Sequence, residues 1–183
     1  MKGNEMRISW SLVLLCGLLP KAALAGDFEL AGMKSPLPQG WKEENPSSNM
    51  RLAQFKLPKV EGDKDDAELV IFYFKGGSGT VEQNLKRQLA KFKPASGKTE
   101  PENKTEKVKV GTIPATLQDI QGVYLSKFPP FAPNAKITEK PGYRQLYVVF
   151  TTAQGDYYMT LLGTEKTVAK HEKSFKTWLA SFK

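Results

Sequence analysis

Ala67-Glu68-Leu69-Val70-Ile71-Phe72-Tyr73-Phe74 runs into Lys75-Gly76-Gly77-Ser78-Gly79-Thr80, and the order of these two pieces sets the architecture. The first piece is rich in branched and aromatic residues and reads as a strand. It is nearly continuous in apolar character rather than alternating, the pattern of a strand covered on both faces. Leu146 to Phe150 and Tyr157 to Leu162 repeat it. Strands of this kind need a layer of structure on each side of their sheet.

The glycine-rich piece opens a helix. From Thr80 to Phe92 the residues Val81, Leu85, Leu89 and Phe92 share one helical face. Thr80 and Gln83 have capping-box spacing, and Pro94 stops the run. A second helix is expected from Glu165 to Phe182. Val168, His171, Phe175, Trp178, Leu179 and Phe182 form its apolar face, and Lys166, Lys170, Lys173 and Thr177 point away.

The remaining strand candidates are Phe28 to Leu30, Met50 to Leu57, Lys104 to Val110 and Ala115 to Leu125. Asp119 and Gly122 hint at a bulge in the last of these. Ala153-Gln154-Gly155-Asp156 reads as the hairpin between the final two strands. Short connections favour antiparallel pairing. The fold class expected is therefore α+β: an antiparallel sheet of about six or seven strands flanked by two main helices, a three-layer α/β/α sandwich. Glu43 to Asn49 and Lys93 to Asn103 read as surface loops, so residues 26–183 form one domain.

Residues 1–25 read as a cleavable signal peptide. Lys2 and Arg7 precede an apolar stretch from Ile8 to Leu19, and Ala23-Leu24-Ala25 supplies the small residues before a cut ahead of Gly26. A secreted or periplasmic protein is the expectation. Cys16, the only cysteine, lies in this segment, and Leu15 before it does not suit a lipoprotein cleavage site. Cleavage leaves 158 residues without a thiol nucleophile, a cysteine metal ligand or a disulfide. They carry a net charge of +6, against +8 for the whole chain. The excess concentrates between Lys86 and Lys109, where Lys91, Lys93, Lys98, Lys104 and Lys107 also lie. A solvated lysine surface is the simplest reading, with docking to an anionic envelope component beside it. Only Arg51, Arg87 and Arg144 are arginines in the mature chain, which argues against nucleic acid as a partner.

The element order, together with Leu37-Pro38-Gln39-Gly40-Trp41, the Glu68 to Phe74 strand, the helix opening at Thr80 and the ending from Leu162-Gly163 to Ser181-Phe182, resembles the PsbP-type sandwich. That fold is shared by PsbP, the Mog-type proteins and exported bacterial proteins of the DcrB and LpqN kind. Tyr73 to Thr80 and Leu161-Leu162-Gly163 are similar to stretches in uncharacterised bacterial secreted proteins of this fold. The resemblance implies a scaffold that binds proteins or assists assemblies, and it implies no cofactor and no single function.

No catalytic constellation is readable, and no metal ligand set. Gly76, Gly77, Ser78, Gly79 and Thr80 have the strand–turn–helix layout that cradles phosphate, but they match neither the Walker A nor the dinucleotide fingerprint. A permissive turn is the plainer reading. Glu61, Asp63, Asp65, Asp66 and Glu68 offer oxygen ligands, yet Ala67 occupies a ligand position of an EF-hand loop opened by Asp63, and the required glycine is missing. His171, the only histidine, reads as a packed core residue. Phe128, Pro130 and Phe131 in the loop Phe128-Pro129-Pro130-Phe131-Ala132-Pro133 offer aromatic anchors to a partner, unless both rings fold back onto the sheet. Asn103-Lys104-Thr105 is a glycosylation sequon, relevant only in a eukaryote. The function expected is a non-catalytic binding or assembly module of the cell envelope, its partner an unidentified protein or envelope component. The alternative is a small-ligand or phosphate-binding protein, or an enzyme, with its site at Gly76 to Gly79.

Overall fold

The structure, a computed structural model, describes residues 26–129 and 132–183. The signal-peptide reading, Cys16, Pro130 and Phe131 lie outside the described residues. The element order is β1 (Asp27–Leu30), β2 (Met33–Pro36), β3 (Lys42–Glu44), β4 (Arg51–Leu57), β5 (Ala67–Phe74), α1 (Val81–Leu89), β6 (Phe92–Lys93), β7 (Glu102–Val110), β8 (Ile113–Phe128), β9 (Lys136–Thr152), β10 (Gly155–Thr164) and α2 (Glu165–Ser181).

β1 and β2 form a separate two-stranded sheet. Ala31 and Gly32, at φ of 53° and 77°, make the two-residue turn between them, and left-handed residues at both positions match the twist of a hairpin. The other eight strands form one sheet rather than the six or seven expected. Its order is β3-β4-β5-β10-β9-β8, with β6 and β7 lying end to end along the outer side of β8. Every pairing is antiparallel. The extra strands were invisible to periodicity. β3 is all charge, Lys42-Glu43-Glu44, and β6 is two residues long. The bulge hinted at by Gly122 is present, between Gly122 and Tyr124. A Cβ on Gly122 would stand 2.5 Å from the Lys93 carbonyl oxygen, so only glycine lets β6 approach there. Asp119, the other residue behind that expectation, is paired in regular register and makes an ion pair instead.

α2 matches its expected span to within a residue and covers one face of the sheet. Val168, Phe175, Trp178, Leu179 and Phe182 bury themselves against Phe55, Leu57, Leu69, Ile71, Leu117, Leu146, Val148 and Met159. Trp178, 2% exposed, is the hub: its ring lies 5.4 Å from Trp41, 6.1 Å from Phe55 and 4.9 Å from Phe182. Trp41 reaches it from the Leu37 to Trp41 turn, where Gly40 sits at φ 85°. Two backbone bonds between Lys34 and Lys183 fasten the chain's end to β2.

The opposite face is covered more thinly. α1 stops at Leu89, three residues earlier than the periodicity predicts. Lys91 turns its carbonyl to the Leu125 N–H, and Phe92 then packs on Tyr124 from β6, ring to ring at 5.3 Å. Of the four residues expected on its apolar face, Val81 is 40% exposed and Leu85 and Leu89 are half-buried; the one buried residue of the helix is Asn84. Beneath α1 lie Tyr147, Val149 and Tyr158, with Phe72, Phe74 and Leu85 against them. Buried Gln118 and Gln145 make the same face polar. A helix of nine residues cannot span the sheet, so part of this face stays open.

Truncating Trp178 to alanine is expected to cost about 3–5 kcal/mol of unfolding free energy. Urea denaturation followed by far-UV circular dichroism checks it.

Candidate functional site

The Gly76 to Thr80 turn is built as its sequence suggests, and its polar groups are engaged internally. Gly76, Gly77 and Gly79 all have positive φ. The Gly77 N–H donates to the Phe74 carbonyl at 3.2 Å. Thr80 N–H donates to Gln83 Oε1 at 3.0 Å and Gln83 N–H to Thr80 Oγ1 at 3.2 Å, completing the capping box. Ser78 Oγ donates to the Tyr158 hydroxyl, which donates to Asp156. Asp156 sets a carboxylate oxygen 2.8 Å from where a Cβ on Gly77 would stand. An anion entering this turn meets that carboxylate and a helix end whose donors are already partly used.

The acidic loop before β5 is divided among structural tasks. Asp63 accepts bonds from the hydroxyls of Thr164 and Thr167 at the start of α2, and these bonds hold its carboxyl below the usual range. Thr164 therefore spends its side chain on Asp63 and makes no cap bond of its own. Asp66 accepts the Lys59 N–H, and Glu68 pairs with Arg51 at 3.0 Å. Among the described residues no group of three His, Cys, Asp or Glu side chains is placed to hold a metal ion.

His171 is buried, with Nε2 2.8 Å from the Pro58 carbonyl oxygen and its ring edge-on to Trp41. The carbonyl accepts the Nε2–H. Burial lowers the imidazole pKa, more strongly than the Pro58 bond raises it. Arg144 is 8% exposed and forks onto Asp119 at 2.9 and 2.7 Å, with a third bond to Glu172 of α2 at 2.7 Å. Lys176 joins Glu172 to Glu106. This network ties α2 to β7, β8 and β9. Burial pushes the Glu172 carboxyl up, but the bonds from Lys176 and Arg144 outweigh it and leave the pKa lowered.

The lysine-rich stretch does not gather into one patch. Lys86 pairs with Glu82, Lys93 with Glu139 and Lys98 with Glu102. Arg87 donates to the Ser78 carbonyl and Lys107 to Thr116. Strand alternation divides the β7 lysines, with Lys104 on the side of Val108 and Lys107 and Lys109 on the other.

Phe128 ends an arm that sequence periodicity does not reveal. β10 stops pairing with β9 at Tyr143, and β6 stops pairing with β8 at Tyr124. Beyond these points Leu125–Phe128 and Lys136–Glu139 continue as a two-stranded ribbon. Phe128 is 74% exposed and Ile137 51%. Of the alternative in which both rings fold back onto the sheet, the Phe128 half fails for a geometric reason, since the ribbon carries that ring past the last flanking strand.

A second feature escaped the sequence because its parts are spread over five elements. The uncovered part of the α1-side face is a concavity of about 210 Å³ with Val70, Phe72 and Leu162 as apolar walls. Arg51, Lys91 and Tyr124 also line it. Gly76 to Thr80 do not.

No family model matches this chain, and no curated protein is similar to it. Among solved structures it is similar to cyanobacterial PsbP from Synechocystis sp. PCC 6803, at a TM-score of 0.53 and 16% identity, over 92% of this chain and 96% of that one. It also aligns with a Pseudomonas aeruginosa protein of unknown function, PA94, titled a putative regulator, at a TM-score of 0.46 and 18% identity over 87% of this chain and 96% of the other. The first likeness shows the fold, which is PsbP-like. Among the described residues no helix is long and apolar enough to cross a membrane.

The lowered His171 pKa predicts a pH dependence. The unfolded chain protonates its histidine near pH 6.5, before the folded chain does. Stability from this group should therefore fall as pH drops below about 6.5 and level off below the folded value. Denaturant midpoints between pH 7.5 and 5 should show the decline, and His171→Gln should remove that part of it.

Proposed function

We propose that this chain is an exported, non-catalytic binding or assembly module of the cell envelope, and that it engages a protein or envelope component through the tip of the β8–β9 arm. The observation that carries the reading is Phe128, a large aromatic side chain 74% exposed at the end of a ribbon. An apolar side chain held in water is what a partner's pocket removes from water, and aromatic anchors supply much of the energy of small interfaces. Ile137 adds apolar surface on the same ribbon, and Lys127, Lys136 and Lys140 surround it with positive charge. The signal-peptide reading of residues 1–25 supports export to the periplasm or beyond the cell.

In this reading the domain works as a three-layer sandwich. α2 and the sheet are the rigid body, and α1 with the open face is the thinner third layer. The alternative site at Gly76 to Gly79 has less support, because the Asp156 carboxylate lies beside Gly77 and the capping box already uses two of the backbone donors.

A photo-crosslinking residue at position 128 should yield a discrete adduct in the intact envelope, whereas the same residue at Ala153, exposed on the β9–β10 hairpin at the opposite end of the sheet, should not. Phe128→Ser should cut capture of that adduct's partner at least about tenfold with the melting temperature unchanged. Equal labelling from both positions would remove the arm from consideration.

A further inference from the structure

We infer that the concavity on the open face of the sheet binds a small monocarboxylate with an apolar body, the carboxylate held by the Lys91 amine and the Tyr124 hydroxyl and the body lying on Val70, Phe72 and Leu162. The walls come from adjacent positions of β5 and β10, so the apolar floor is a rigid part of the sheet. Its volume, about 210 Å³, lies below the usual range for drug-sized ligands and limits the occupant to a small molecule.

The charges select the sign of the ligand. Arg51 and Glu68 satisfy each other at 3.0 Å, and Arg51 also holds Gln54 at 2.7 Å. Lys91 is different. Its amine donates to the neutral Gln88 Oε1 at 2.8 Å and meets no carboxylate among the described residues. Lys91 is exposed and lines the cavity, and desolvation by the surrounding side chains lowers its pKa. A cation in that position gains a charge-assisted bond when a carboxylate arrives. Tyr124 makes no side-chain hydrogen bond among the described residues, so its hydroxyl, protonated at neutral pH as even an unperturbed tyrosine is, is available as a second donor. With Arg51 and Glu68 paired, Lys91 is the cation left in the lining without a carboxylate among the described residues, and one such cation beside an apolar floor matches a ligand of single negative charge such as a monocarboxylate.

None of these residues belongs to the arm tip, so this site and the arm stand or fall separately. The test is a titration of the ¹⁵N-labelled protein with sodium octanoate, with 1-octanol and octylammonium as controls. Octanoate should shift the Val70, Phe72, Tyr124 and Leu162 amides saturably and raise the pKa of the Lys91 amine. Lys91→Gln should weaken octanoate about tenfold or more while leaving any octanol binding and the melting temperature unchanged. The inference is overturned if octanoate produces no saturable shift at millimolar concentration, if octanol or octylammonium binds as tightly, or if Lys91→Gln leaves octanoate affinity intact.

Discussion

The structure depends on β10. This strand, the last in the chain, lies between two halves that do not otherwise touch edge to edge. It pairs with β5 from Asp156 to Leu162 and with β9 from Gly155 to Thr164. Directly after it, α2 folds back over the face that β10 has just completed. Trp178 and Phe175 are thus delivered to a sheet that exists only once the final strand is in place. Without a disulfide among the described residues, this buried seam is the main restraint on the fold. Its pairing with β5 joins residues far apart in sequence, so the chain must close a large loop before that half of the core rewards it.

The two faces of that sheet are unequal. The α2 face is apolar, aromatic and dense, with the Arg144 network sealing one side. The α1 face is polar beneath the helix, where Gln145, Tyr147 and Tyr158 meet Asn84 and Gln88 and buried Gln118 donates to Asn103. The Gln118 side-chain oxygen has no protein partner there among the described residues. Nine helical residues shield only part of this surface, and the uncovered part is the concavity beside Lys91. Stability is concentrated on one face and accessible chemistry on the other.

Much of this was legible in the sequence. Continuous apolar runs marked β5, β9 and β10 as the centre of the sheet, and the period of the last helix identified the residues it buries. His171 was readable as a core residue for the same reason. Periodicity misled at α1, because Val81, Leu85, Leu89 and Phe92 satisfy a helical face even though the chain leaves the helix after Leu89. Phe92 is buried through a strand pairing that no local pattern encodes. The arm and the concavity were unreadable because both arise from where neighbouring strands stop. That is a property of register, which depends on pairs of residues far apart in sequence.

The charged strand β3 has a consequence for the protein's behaviour in concentrated solution. A sheet of eight strands ends in exposed N–H and C=O groups, a template on which further chains can add. Lys42-Glu43-Glu44 closes one side with three residues, too short and too charged to recruit a neighbour. On the other side β7 presents Glu102, Lys104, Glu106, Lys107 and Lys109 within nine residues. Mixed charge along both borders disfavours strand-by-strand addition of further chains to a sheet whose interior is apolar and antiparallel.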